Sequence, residues 1–172
     1  MASTLSLQDA QFLDIWNEAV KKYNHTLAGD KNAKMQEFRT KKDVLEYIEK
    51  PSTEFEKFKK KGQKIMKYLM PVIDIVGLLS NTVGEATALV FQPSKAIFTG
   101  IAMLVQEVKA TSGMYDVVSD MLENLSDILA RFKVHTQTSM GMELVEIYIR
   151  SMAQVLYIIG LITQVVKKGH LR

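Results

Sequence analysis

The chain has 172 residues, 47% apolar and 24% charged, with no cysteine and a net charge of +3. That length fits one domain able to bury roughly 70% of the surface its unfolded chain exposes, and the apolar fraction excludes a disordered segment. The missing cysteine excludes a disulfide scaffold and thiolate chemistry, and the distribution of so mild a charge matters more than its size.

Met1-Ala2-Ser3-Thr4 lacks the basic and apolar regions of a secretory signal, and Ala2 excludes N-myristoylation. A cytoplasmic protein is expected. The sequons Asn24-His25-Thr26 and Asn124-Leu125-Ser126 fall inside helical patterns and read as chance.

Ser6 and Asp9 resemble a capping box, and Phe12, Ile15, Trp16, Ala19, Val20, Tyr23 and Leu27 follow at helical spacing. This first helix should stop near Gly29-Asp30. Residues 30–41 are polar and aperiodic, which reads as a loop. A short helix over Asp43–Lys50 should end at Pro51, and Ser52 caps the next, which runs to about Met70. Pro71 restarts or kinks the chain, opening a helix over 71–91 with Gly77 and Gly84 as weak points.

Pro93 suits the first turn of a helix reaching about Thr111, with Ile97, Ile101, Leu104 and Val108 on one face. Gly113 breaks it. Tyr115, Val118, Leu122, Leu125, Leu129 and Phe132 then recur three and four apart, a packing seam. Ser139 caps a last helix to Lys168, with Gly169 as its stop. Between Pro71 and Gln106 only Asp74, Glu85 and Lys95 are charged, so these helices should be buried on most sides. The sixteen residues Ser151–Val166 carry no charge, too few for a spanning helix and suited to the centre of a bundle. Strand signals are few. The fold class is all-α, a single helical bundle of about six to seven helices.

Candidate chemistry is sparse. On the helix over 54–70, Lys57, Lys60, Lys61, Lys64 and Lys67 project to one side and Phe55, Phe58, Ile65, Met66 and Leu69 to the other. Such a face suits anionic lipid head groups or an acidic partner; its ordinary role is a solvated surface. Lysine without arginine or aromatic side chains argues against nucleic acid. Asp116, Asp120, Glu123 and Asp127 form a complementary acidic stripe that can pair with the lysines, in this molecule or a neighbour. As a metal site the stripe is poor, since no histidine lies near and the carboxylates spread over about three turns.

His25, His135 and His170 lie far apart, no glycine-rich phosphate motif occurs, and Glu143 with Glu146 lack the following histidine of a di-iron motif. No enzyme, no cofactor and no small-molecule substrate are expected.

The order of several phrases resembles the N-terminal Goodbye domain of fungal STAND proteins, which are NLR-like receptors. These are Ile15-Trp16-Asn17-Glu18-Ala19-Val20 leading to Tyr23, Phe55 and Phe58, Leu69-Met70-Pro71-Val72-Ile73, and Gly84-Glu85-Ala86. Phe91-Gln92-Pro93-Ser94-Lys95-Ala96-Ile97-Phe98 is the most specific. Tyr115-Asp116, Arg131-Phe132 and Lys167-Lys168-Gly169-His170-Leu171-Arg172 complete the set.

The resemblance implies that residues 1–172 form a single helical domain, normally N-terminal to a NACHT-type nucleotide-binding domain, with no catalytic residues. It also implies signalling or cell-death execution through protein partners or self-association. Exposure of the Tyr115–Phe132 seam or of the Trp16 face would supply an interface. The alternative is membrane permeabilisation similar to HeLo-type domains, with the lysine face on anionic lipid and the protein peripheral at the membrane.

Overall fold

The computed structural model describes residues 7–27, 40–49, 62–86, 93–111, 113–133 and 141–170. They form six helices and no strand: α1 Leu7–Leu27, α2 Lys41–Ile48, α3 Gln63–Ala86, α4 Pro93–Ala110, α5 Tyr115–Lys133 and α6 Met142–His170. The expected all-α bundle is what the chain builds. Ser6, Gly29, Asp30, Pro51, Ser52 and Ser139, assigned above to helix ends, lie outside the described residues.

Three boundaries depart from the sequence expectation, each for a local reason. The short helix begins at Lys41 and not Asp43, because Thr40 and Asp43 form a reciprocal capping box. The Asp43 N–H donates to Thr40 Oγ1 at 3.2 Å, and the Thr40 N–H donates to Asp43 Oδ2 at 2.9 Å. Pro71 does not restart the chain, since α3 runs through it without a break. An interior proline costs about 3 kcal/mol. The neighbouring Leu69, Val72, Ile73 and Val76 are all wholly buried, and each such side chain contributes roughly 1.5–3 kcal/mol, so burial outweighs the break. Finally, α6 carries Gly169 within its last turn, and Gly141 supplies the first carbonyl at the other end, accepting from Leu144 and Val145.

The principal contacts join α1 to α6, α3 to α5 and α4 to α6, while α2 sits across α4 and α3. The last two principal pairs run parallel. Lys64 meets Asp120 while Tyr68 meets Glu123, so α3 and α5 advance together. Gly100 lies beside Ile159 while Glu107 pairs with Lys167 at 3.6 Å, so α4 and α6 do likewise. One continuous apolar cluster fills the interior, from Trp16 of α1 through Ile73, Ile101 and Leu122 to Leu156 of α6. The buried hydroxyls of Thr99 and Thr163 donate to the carbonyls of Lys95 and Ile159 one turn back.

Two further contacts fix the smaller pieces. Lys109 Nζ of α4 donates to the Ile48 carbonyl at 2.8 Å, satisfying an orphan acceptor at the end of α2. Tyr47 donates to Gln106 Oε1 at 2.9 Å, and Lys41 pairs with Asp74 of α3.

Tyr23 sets the approach of α1. Its ring is buried against the backbones of two glycines: a Cβ on Gly160 would sit 2.9 Å from Tyr23 Cδ2, and one on Gly100 would sit 3.1 Å from the hydroxyl. The hydroxyl donates to Met103 Sδ at 3.8 Å, and burial raises its pKa well above the ordinary tyrosine value. Gly160→Ala should therefore destabilise. Helix propensity favours alanine by about 1 kcal/mol, but overpacking against a buried ring costs about 1–3 kcal/mol. Urea unfolding is expected to give a lower midpoint for Gly160→Ala and little change for Gly113→Ala, where the added methyl meets open space.

Candidate functional site

Of the lysine face predicted from sequence, Lys64 and Lys67 lie on α3, beside the acidic stripe of α5, and Lys64 joins the two within one molecule. Lys64 Nζ of α3 reaches Asp120 Oδ1 of α5 at 3.3 Å, with both side chains substantially exposed. The hydrogen bond to Asp120, then its charge and that of Asp116, raise the Lys64 pKa. One turn along, the Tyr68 hydroxyl donates to Glu123 Oε1 at 2.8 Å. Lys67 lies 5.1 Å from the centre of the Tyr68 ring, within cation–π reach. Asp127 is exposed further along α5. Lys57, Lys60 and Lys61 lie outside the described residues. What is visible is a polar clasp between two parallel helices, and Tyr68 is the member that the sequence pattern did not reveal.

The seam from Tyr115 to Phe132 is core. Val118, Leu122, Leu125 and Leu129 are buried, as is Trp16, so the folded domain presents neither as an interface. Behind the seam, the Phe132 ring meets Tyr148 edge-on at 6.2 Å. Tyr148 is wholly buried, and its hydroxyl has no hydrogen-bond partner among the described residues.

The outer side of α6 is different. The charge-free run was expected at the centre of the bundle, and Met152, Val155, Leu156, Ile159 and Ile162 are indeed buried. Yet Ile147, Tyr157, Leu161 and Val165 on the same helix are each at least a third exposed. Beside Tyr157 a groove of about 430 Å³ opens between α1 and α6, with Ile15 and Ala19 on one wall and Ala153 on the other. Its rim holds two ion pairs within single helices, Glu18–Lys22 at 3.2 Å and Glu146–Arg150 at 2.8 Å. Met142–Gly169 is long and apolar enough to cross a membrane by length and composition, though half of its apolar window is buried. No cluster of three metal-ligating side chains occurs among the described residues.

The family model of the fungal STAND N-terminal Goodbye domain matches residues 16–135. This chain belongs to the Goodbye family. The match takes in the phrases from Trp16 to Arg131-Phe132 that carry the resemblance, and the closing Lys167–Arg172 phrase falls beyond it. No curated protein and no solved structure matches the chain. The Goodbye domain is a STAND N-terminal domain, a class consistent with signalling or effector work and not a known enzyme family.

The clasp and the buried tyrosine make opposite predictions for the same chemical change. Tyr68→Phe removes a bond to a carboxylate and should lower stability by about 1 kcal/mol in urea unfolding. Tyr148→Phe removes a buried hydroxyl that lacks a partner, and should leave stability unchanged or raise it. A loss on Tyr148→Phe comparable to that on Tyr68→Phe would show that the hydroxyl has a partner in solution.

Proposed function

We propose that this Goodbye domain is a non-enzymatic signalling module. It acts in the cytoplasm by self-association or adaptor contacts of its helical surface, in a cell-death or innate-immunity-like pathway. One observation supports this reading most: the apolar interior is sealed, while four large apolar side chains of α6 remain in water on a single side. Apolar groups gathered along one side of a helix mark a contact surface, whereas singly scattered exposed hydrophobics are ordinary. A domain built to be brought together with others needs an outward face and no reaction centre.

Membrane permeabilisation is the second reading, favoured by the length and apolar character of α6. Against it, Lys64 of the proposed lipid-binding face is engaged by Asp120. A lysine held by a carboxylate contributes less to anionic lipid than the roughly 1 kcal/mol expected of one that faces the head groups.

The test is enforced proximity. The domain is fused to a drug-inducible dimeriser and expressed in fungal cells, and growth is followed after the inducer is added. Arrest that depends on the inducer is expected. Unchanged growth of cells holding soluble, folded fusion overturns the signalling reading. Dye release from anionic vesicles by the purified domain, weakening as salt is raised, favours permeabilisation instead.

A further inference from the structure

We propose that the outward face of α6 is a homotypic interface, on which a second copy of this chain lays its own α6 in the antiparallel direction. The inference rests on the signalling reading above and names its surface and its partner.

The residues of α6 that face water recur three and four apart along its whole length, from Glu143 to Lys168. That is the narrow stripe of a coiled-coil seam, found here on the outside of a bundle. Ile147 is 50% exposed, Tyr157 42%, Leu161 37% and Val165 40%, so half of the stripe is large apolar surface in water. The polar members do not bar burial. Arg150 is neutralised within its own helix, since its Nε and Nη2 both lie 2.8 Å from Glu146 Oε1. Gln154 carries no charge and can both donate and accept.

Direction and register follow from the ends. Glu143 stands at the first turn of the stripe and Lys168 at the last, both exposed. Two parallel copies would set Glu143 on Glu143 and Lys168 on Lys168. Two antiparallel copies set each glutamate over the other copy's lysine. The same two-fold axis then places Gln154 against Tyr157 and Arg150 against Leu161, because these pairs share the midpoint of Glu143 and Lys168, while Ile147 and Val165 fall one position off exact register. The Gln154 amide meets the Tyr157 hydroxyl across the axis, and the ring enters the groove between α1 and α6 that opens beside it. A single patch serving both copies is what a two-fold contact requires, and a central aromatic in a groove is its usual anchor.

Magnitude sets the behaviour. The stripe is roughly 37 Å long at 1.5 Å per residue, and one helix wide. Such a strip is smaller than the roughly 800 Å² per partner of a standing complex, so pairing depends on concentration. Copies held close by other parts of an assembly would pair; dilute ones would separate.

The chain has no cysteine, which makes the register testable directly. Glu143→Cys and Lys168→Cys are mixed in equal amounts, oxidised at high concentration, and the bridged peptides identified by mass spectrometry. The expected product joins position 143 to position 168. Dominant 143–143 and 168–168 products, or no bridge at all, would overturn the proposal.

Sedimentation of the unmodified chain over a dilution series is expected to show a reversible dimer, weakened at least about tenfold by Leu161→Arg. Far-UV circular dichroism confirms that the variant folds. Association that Leu161→Arg leaves unchanged means that another surface is used: this inference fails and the signalling reading stands. A chain that stays monomeric, yet floats with anionic vesicles unless Leu161 is changed to Arg, assigns the face to a membrane and overturns the inference. The enforced-proximity assay judges the signalling reading separately.

Discussion

The docking of Tyr23 against Gly100 and Gly160 is the contact on which the rest of the bundle depends. A flat, buried ring fills the space that two side chains would otherwise take, and α1 is thereby brought onto both α4 and α6. At Gly160 this approach leaves no room for a Cβ, and at Gly100 it leaves a tight fit. Helix propensity disfavours both glycines, by about 1 kcal/mol each, so their presence mid-helix needs a packing reason. The Tyr23 ring supplies it.

With α1 in place, the inner face of α6 is used up. Its buried side chains meet α1 and α4 along one side, and α5 through Tyr148 and Phe132. Nothing within the described residues covers the remaining side, and the ion pairs at its rim are satisfied within their own helices. The α3–α5 flank has the opposite character. Its polar groups are tied to one another, Lys64 to Asp120 and Tyr68 to Glu123. The molecule therefore has a flank clasped by Lys64–Asp120 and Tyr68–Glu123, which also leaves Leu78, Val117 and Ile128 in water, and an α6 side that gathers four exposed apolar groups along one helix. That asymmetry, and not any titratable cluster, is the functional feature of the fold.

Much of the fold was legible in the sequence, because a helix with one dry face writes its period into the chain. The Val118, Leu122, Leu125 and Leu129 seam is buried as its spacing required. Pro71 misled because a local break signal cannot show that Leu69, Val72, Ile73 and Val76 are wholly buried around it. Thr40 with Asp43 carried a readable capping box, hidden by the aperiodic stretch before it.

The outer face of α6 was illegible for a physical reason. A run with no charged residue gives no polar side to mark where water is, so Tyr157, Leu161 and Val165 looked like core. The Tyr23–Gly160 and Tyr68–Glu123 contacts join distant parts of the chain and leave no local pattern. Of the candidate site, the pairing of lysine with carboxylate could be foreseen, but not which members meet. Function entered through the ordered phrases of the Goodbye family and through no reaction chemistry.

The central claim is that α1 is an integral member of the bundle, held by Tyr23 against α6, which leaves the outer stripe of α6 as the free surface. Trp16 is the single tryptophan of the chain and is buried on α1, so its fluorescence reports that helix alone. The most direct measurement follows Trp16 emission and far-UV circular dichroism through one urea titration. The account predicts coincident transitions, with α1 leaving only when the whole bundle unfolds. A Trp16 transition completed at lower urea, with most of the helical signal intact, would contradict it: α1 would be a detachable helix, and the surface beneath it would become the exposed face of the domain.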